Sequence, residues 1–194
     1  YSAKVTSEIQ PIYLLGVRKW ETKKVKVKYT ITPRKPLIID SVGYNISQAS
    51  IVKLFNQIKG KSKIEIGNVL RIENLEEERT RITKYLNNNG YYKFSQDYIY
   101  IKVDTFSSQA NIEFFVKDET DDPTIYQKFN IRNIYIHLDD EKNQETDTIL
   151  YNGCLIITKK NKKPNLKFNI ITDLIKIRPN KLYARKDGEI TYEN

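Results

Sequence analysis

The chain has 194 residues, 39% hydrophobic and 29% charged, enough for one ordinary domain or two small ones, and no apolar run approaches the roughly 20 residues that span a bilayer. The single cysteine, Cys154, excludes an internal disulfide and a cysteine metal cluster, and the single histidine, His137, has no second ligand near it in sequence. Glycine-rich phosphate loops, a GxSxG elbow and an HExxH helix are all missing, so no metal, no cofactor and no catalytic constellation is expected, and Cys154 and His137 read as ordinary strand residues.

The net charge of +9 suggests an anionic partner, and it is unevenly placed. Residues 1–35 hold nine Lys/Arg against two Asp/Glu, whereas 36–118 hold eleven against ten and 119–194 thirteen against twelve. The chain opens "YSAKVTSEI", a strand, and after a loop continues "KKVKVKYTI", a second one. Lys24, Lys26 and Lys28 alternate with Val25, Val27 and Tyr29, which predicts one buried and one wet face. The wet face, with Lys23, is either solvated or meets an anionic surface such as lipid headgroups or nucleic acid. A start at Tyr1, with no methionine anywhere and no signal-peptide pattern, reads as part of something longer.

The middle of the chain is the most legible. "KPLIIDSVGYNI" is a strand run after Pro36, and Ser47 is placed to cap a helix whose apolar stripe is Ile51, Leu54, Phe55 and Ile58, stopped by Gly60. "KSKIEIGNVL" connects, with Gly67 as its turn residue. A second helix is predicted from an Asn74 cap with Glu77 three residues on, Ile72, Leu75, Ile82 and Leu86 on one face, and Gly90 at the left-handed position past its end. Glu78, Arg79 and Arg81 read as surface pairs on that helix, and Gly90, Tyr91 and Tyr92 as a structural corner with one tyrosine packed under the helices. Two strands follow, about "YYKFSQDYIYIKVD" and "ANIEFFVKD", joined by "TFSSQ". The order is β-α-α-β-β.

The two ends repeat parts of this unit. Setting Tyr1 against Tyr92 makes the first segment a strand pair and a proline linker, the last part of an earlier unit. After "ETDDPT", "YQKFNIRNIYIHL" reads as a new first strand. Residues 139–147 read as an acidic loop, and "CLIIT" and "LKFNIIT" around "KKNKKPN" as an inserted hairpin. "IKIRPNKLYARKDGEITYEN" then reads as strand, turn and the opening of a helix. The organisation is a C-terminal part of one unit over 1–34, a complete unit over 35–119, and the N-terminal part of another over 126–194.

These residues resemble a known family. "GNVLRIENLEEERTRITKYLNNNGYYKF" carries Gly67, Leu75, Glu78, Arg79, Arg81, Ile82, Leu86, Asn88, Gly90, Tyr91 and Tyr92, the pattern of a POTRA domain in outer-membrane assembly factors of the BamA/TamA type. "IKIRPNKLYARKD" is similar to the approach to the first helix of such a domain, with Asn180 where the family has glycine; Asn also tolerates a left-handed backbone. The hairpin insertion resembles Bacteroidetes-type members. The resemblance implies an α+β fold of tandem POTRA modules, two helices on a three-stranded mixed sheet, the first and last modules partial. It implies a non-catalytic periplasmic scaffold preceding a C-terminal β-barrel, with unfolded outer-membrane proteins as clients and accessory outer-membrane lipoproteins as docked subunits. It places the client-binding edge at Tyr98, Ile99, Tyr100, Ile101 and Lys102, in a strand from about Gln96 to Asp104. A basic KH-like nucleic-acid module shares the β-α-α-β order, but its GxxG clamp is missing between Gly60 and Gly67, so no nucleic acid is expected.

Overall fold

The computed structural model describes residues 3–10, 13–14, 17–18, 26–33, 35–118, 122–138, 145–160 and 167–193. The fold is α+β. Its best-packed part, over 35–118, is a β-α-α-β-β unit: β5 (Ile38–Asn45), α1 (Ala49–Phe55), α2 (Ile72–Asn87), β6 (Ile99–Phe106) and β7 (Gln109–Val116). β7 lies in the middle of the sheet, parallel to β5 and antiparallel to β6.

The packing follows from the alternation along β7. Ala110, Ile112, Phe114 and Val116 are buried on one face, beneath Ile51, Leu54 and Phe55 of α1 and Leu75, Ile82 and Leu86 of α2. Ile58 also joins the core, as the helical spacing predicts, although α1 ends at Phe55 and Gly60 falls in a separate 3₁₀ turn, Lys59–Lys61. Ile72 does not: it is the first residue of α2 and stands 66% exposed. Neither helix uses its expected cap. α1 starts from Gln48, and the Ser47 hydroxyl instead donates to the Asp118 carboxylate beyond β7. α2 starts from Arg71, which draws Asn74 into its first turn. The end of α2 is as expected: Gly90 has φ +98° and the Tyr91 N–H reaches back to the Leu86 carbonyl, the closure of a Schellman motif.

The β6–β7 turn is Ser107–Ser108, both with positive φ, the conformation that matches hairpin twist. The predicted strand beginning at Tyr91 is shorter in the structure. Residues 91–98 form an irregular segment ending in a 3₁₀ turn, Gln96–Tyr98, capped by the Ser95 hydroxyl, and pairing starts at Ile99.

The first segment is a ribbon of β1 (Ala3–Gln10) and β4 (Lys26–Pro33), antiparallel, with a two-residue pair β2 (Tyr13–Leu14) and β3 (Val17–Arg18) between them. Its register puts Val5, Ile9, Val27, Tyr29 and Ile31 on one face and Lys4, Glu8, Lys26 and Lys28 on the other. The expected alternation is there, but the expected burial is not. Tyr29 and Ile31 are 67% and 65% exposed, because no described element covers the apolar face. Like β6 and β7, β1 and β4 pair antiparallel through eight residue pairs, from Ala3–Pro33 to Gln10–Lys26; Tyr1 lies outside the described residues.

The last segment contains β8 (Ile134–His137), β9 (Thr146–Tyr151), β10 (Cys154–Lys159), α3 (Phe168–Leu174) and α4 (Arg185–Glu193). An inserted hairpin is present but lies elsewhere than predicted. It is β9–β10, turning at Asn152–Gly153, and "LKFNIIT" supplies α3 instead of a strand. The end of the supposed acidic loop, Thr146–Asp147, belongs to β9. His137 is exposed in β8, and Cys154 is buried in β10, where burial raises its thiol pKa.

One backbone latch occurs twice. The Leu70 N–H donates to Leu37 (2.8 Å), Gly67 to Ile39 (2.8 Å) and Ile39 to Asn68 (2.9 Å). In the last segment Tyr183 donates to Phe129 (2.9 Å), Asn180 to Ile131 (2.7 Å) and Ile131 to Lys181 (2.8 Å). Asn180, like Gly67, has positive φ. Residues 129–131 therefore hold the place ahead of β8 that 37–39 hold at the start of β5, although β8 itself begins only at Ile134. By this match α4 takes the place of α2, and α3 the place of α1. "IKIRPNKLYARKD" thus precedes the second helix of its unit, not the first.

Candidate functional site: the β6 edge and the Asn88–Tyr92 corner

A three-stranded sheet has two edges, and here they are unequal. The outer side of β5 is occupied over Leu37–Ile39 by the latch from residues 67–70, and a register irregularity follows between Ile39 and Ser41. β6 pairs with β7 through eight consecutive residue pairs without irregularity. Its outer side pairs with no described strand, so alternate residues turn unpaired N–H and C=O groups outward.

The five residues expected at this edge divide by role. Tyr98 is half-buried in the 3₁₀ turn before the strand, its ring against Phe94, and so is not itself a strand residue. Ile99 is 1% exposed and belongs to the core, with Ile101 half-buried on the same face. Tyr100 is 48% exposed and stacks flat on Phe115 at 4.9 Å. Lys102 is exposed and paired with Asp104 on its own strand. Core side chains thus fix the position of the strand while its main chain faces outward. Of the basic residues, Lys26 and Lys28 stand on the polar face of the ribbon, Lys28 opposite Glu8; Lys23 and Lys24 lie outside the described residues.

The segment before β6 is held by α2. Arg79 donates to both Glu76 oxygens (3.0 and 2.9 Å) and to the Gln96 carbonyl (2.9 Å), so it ties the helix to the turn that launches the strand. Asn87, buried, donates to the carbonyls of Tyr91 and Phe94 (both 2.8 Å).

Glu78 is not the surface residue that its run of glutamates suggests. Its side chain is 1% exposed. It accepts two hydrogen bonds from Arg81 (2.7 and 2.6 Å) and one from the Tyr44 hydroxyl (3.1 Å), and Arg81 continues to the Ile58 carbonyl (2.9 Å). This network joins α2, β5 and the end of the α1 segment. Burial pushes the Tyr44 hydroxyl up to about 12, with the neighbouring Glu78 charge adding to the rise. The folded-state pKa is raised, so the associated stability is complete below about pH 10 and is lost as pH climbs towards about 12. Denaturation midpoints across that window should fall less steeply in Tyr44→Phe than in the parent chain.

The Asn88–Tyr92 corner turns out to be a joint. Tyr91 is fully buried. Tyr92 is 59% exposed and sets its ring edge-on to Tyr183 (4.9 Å) and Phe129 (6.1 Å). The Phe129 N–H donates to Gly90 (2.9 Å), and the N–H of Lys186, in the first turn of α4, donates to the Asn88 side chain (2.8 Å). A Cβ on Gly90 would stand 2.7 Å from the Leu182 side chain. Lys93 pairs with Asp122 (2.8 Å), whose carboxyl this contact and Thr124 hold down at about 2.

No protein-family model matches the chain, and no curated protein matches it. Similar solved structures include POTRA domains 3–5 of BamA from Haemophilus influenzae (11% identity, TM-score 0.46, covering 97% of this chain and 59% of that one). Others are POTRA domains 1–2 of the periplasmic domain of Omp85 from Anabaena (9% identity, TM-score 0.35, 81% and 74% covered) and the N-terminal domain of Omp85 from Thermosynechococcus elongatus (10% identity, TM-score 0.25, 98% and 62% covered). The chain spans about three-fifths of the length of the BamA fragment. All these superpositions fall below a TM-score of 0.5, so the functional argument stands on this chain's own sheets and motif residues.

Proposed function

We propose that this chain is a non-catalytic POTRA region of an outer-membrane assembly factor, at the periplasmic face of the outer membrane of a Gram-negative bacterium. Its clients are unfolded outer-membrane proteins, taken up by strand addition at β6. On this reading residues 1–34 are the C-terminal part of one module, 35–119 a complete module and 126–194 the N-terminal part of another. Accessory lipoproteins dock on the same region, and a β-barrel of the BamA/TamA type belongs to the same full-length chain. The lysine face of the ribbon, Lys23, Lys24, Lys26 and Lys28, is assigned a weaker role against lipid headgroups.

The observation that supports this reading best is the state of the two sheet edges. β6 is long and regular and pairs with no described strand on its outer side, whereas β5 is covered at one end. Main-chain pairing reads backbone more than side chains, which suits a factor with many clients, and repeated modules on one client offset the weakness of each contact. Photoreactive side chains at Tyr98, Tyr100 and Lys102, and at Asp40 and Ser41 of β5 for comparison, would be irradiated with an unfolded barrel protein. Adducts on the β6 set are expected. Adducts confined to β5, or none on either strand, would overturn the proposal, and RNA binding with a steep salt dependence would favour the nucleic-acid alternative.

A further inference from the structure

The backbone latch that occurs twice carries two different sets of side chains. Its hydrogen bonds put Phe129 and Tyr183 where the complete unit has Leu37 and Leu70, and the bridge Asn130–Leu182 where it has Ile38–Val69. Counted from the latch residues, Arg132, Lys176, Arg178 and Lys181 stand at the places of Asp40, Lys63, Glu65 and Asn68. In the first latch these polar groups satisfy one another or close neighbours. Lys63 pairs with Glu77 (2.7 Å), Asn68 donates to Glu65 (3.1 Å) and Gln109 donates to Asp40 (3.3 Å). In the second all four are cations, and none of them forms an ion pair among the described residues. Lys176 and Arg178 donate only to main-chain carbonyls, those of Asp173 (3.0 Å), Ile175 and Ile177 (3.0 Å). The latch closes with either set, so closing it requires neither the cations nor the two rings.

Two hollows meet over the second latch. One, of about 440 Å³, is lined by Tyr92, Phe129, Tyr135, Tyr183, Arg132 and Asn133. The other, of about 80 Å³, is lined by Lys176, Arg178, Lys181 and Asp187, and the two share Ile131 and Tyr183 as walls. The larger one falls in the range of roughly 300–1,000 Å³ usual for small-ligand sites. Tyr92 and Tyr135 are 59% and 57% exposed, so an aromatic platform lies open beside a compact cationic hollow.

An exposed tyrosine ring offers the C–H face of a sugar an apolar bed. Its hydroxyl, the exposed amides of Asn130 and Asn133 and the Arg132 guanidinium can exchange hydrogen bonds with hydroxyl and acetamido groups. A nucleic-acid strand asks for a track of cations along its backbone, whereas these converge on one small hollow. Asp187 in that hollow favours a ligand of single negative charge: a phosphate monoester carries about −1.5 to −2 at pH 7, a carboxylate only −1. We propose that the joined hollows bind an acidic oligosaccharide, with sugar rings against Tyr92 and Tyr135 and one carboxylate among Lys176, Arg178 and Lys181. No residue of β6 takes part, so this site and strand addition at β6 stand or fall separately.

The test titrates the full 194-residue chain, isotope-labelled, with a tetrasaccharide of alternating N-acetylglucosamine and N-acetylmuramic acid, whose lactyl groups are free carboxylates. The neutral tetrasaccharide of N-acetylglucosamine alone is the comparison. Saturating amide shifts at Phe129, Ile131, Arg132 and Tyr183 are expected, with the acidic sugar bound at least about tenfold more tightly than the neutral one. Arg178→Gln combined with Lys181→Gln should abolish that preference, and Tyr135→Ala should weaken both sugars about threefold or more. Lys63→Gln, at the matching place in the first latch, should leave both titrations unchanged. Equal affinity for the two sugars, or no saturating shift by about 10 mM, would overturn the proposal. So would a preference that survives the double substitution, or one lost equally in Lys63→Gln, which would show general charge attraction. Tighter binding of a phosphorylated glucosamine disaccharide or of an RNA oligonucleotide would also overturn it, in favour of a phosphate site.

Discussion

Replacing Glu78 with alanine should cost the 35–118 unit about 3 kcal/mol, the low end of what breaking a buried ion pair costs. The low end applies because Arg81 keeps a side-chain exposure of 24%, so water can reach part of the guanidinium once its partner is gone. The loss has two sources. Arg81 retains a single partner, the Ile58 carbonyl, and the Tyr44 hydroxyl loses its strongest acceptor. Hydrogen exchange should report this as a drop of about two orders of magnitude in protection of the β7 amides Ile112 and Phe114. Glu76→Ala is the internal comparison. It removes an equally well-formed pair, with Arg79, from a site where Glu76 is 52% exposed, and should cost no more than about 1 kcal/mol. If the two variants lost equal stability, burial of Glu78 would not be what makes its network matter. Replacing Glu78 and Arg81 together by methionine should recover most of the loss, since the charge left behind is the larger part of the cost.

Gly90→Val is the second large effect, and it should act at two places. At φ +98° a β-branched side chain is strained wherever it points, by about 1–2 kcal/mol for left-handed backbone alone. The new Cβ would also meet Leu182 at 2.7 Å and Lys128 at 3.2 Å, so the chain start at 128–132 and the turn at 180–183 must move away from the end of α2. The expected spectrum shows disturbed amides at Phe129, Tyr183 and Lys186 as well as around Tyr91. Leu182→Ala in the same background should restore the first group and leave the second, because it relieves the collision but not the backbone strain. Disturbance confined to 87–94 in Gly90→Val would mean that the joint is looser than its contacts imply.

What the sequence disclosed, and what it concealed, divides along physical lines. The stripes Ile51-Leu54-Phe55-Ile58 and Leu75-Ile82-Leu86 were legible because a helix with a single buried face writes its period into the chain. Gly67, Gly90 and Asn180 were legible because few residues accept a positive φ. The caps misled because Ser47 found a better partner in Asp118, 71 positions away, which local pattern cannot show. "LKFNIIT" misled because a seven-residue apolar run has no period long enough to separate strand from helix. Asn152–Gly153 between "DTILY" and "CLIIT" is the stronger hairpin signal, because both residues accept the positive φ that the turn requires. Burial of Glu78 left no local trace at all, since "LEEER" is also the composition of a solvated helix face. The ribbon shows the opposite case: its alternation is as the sequence predicts, yet burial does not follow, because a sheet face is covered only by another layer and no described element supplies one.

The hydrogen bond from Lys186 to Asn88 spans 98 positions of sequence and does for α4 what its own flanking residues do not. A helix of nine residues with a glycine at position 188 and no buried side chain is too short to persist alone in water. Its first turn begins on an acceptor already placed by the far end of α2. The start of α4 is therefore borrowed from a distant part of the chain: the acceptor that receives its first turn is set by the far end of α2, while Thr191 ties its last turn to the Lys176 N–H.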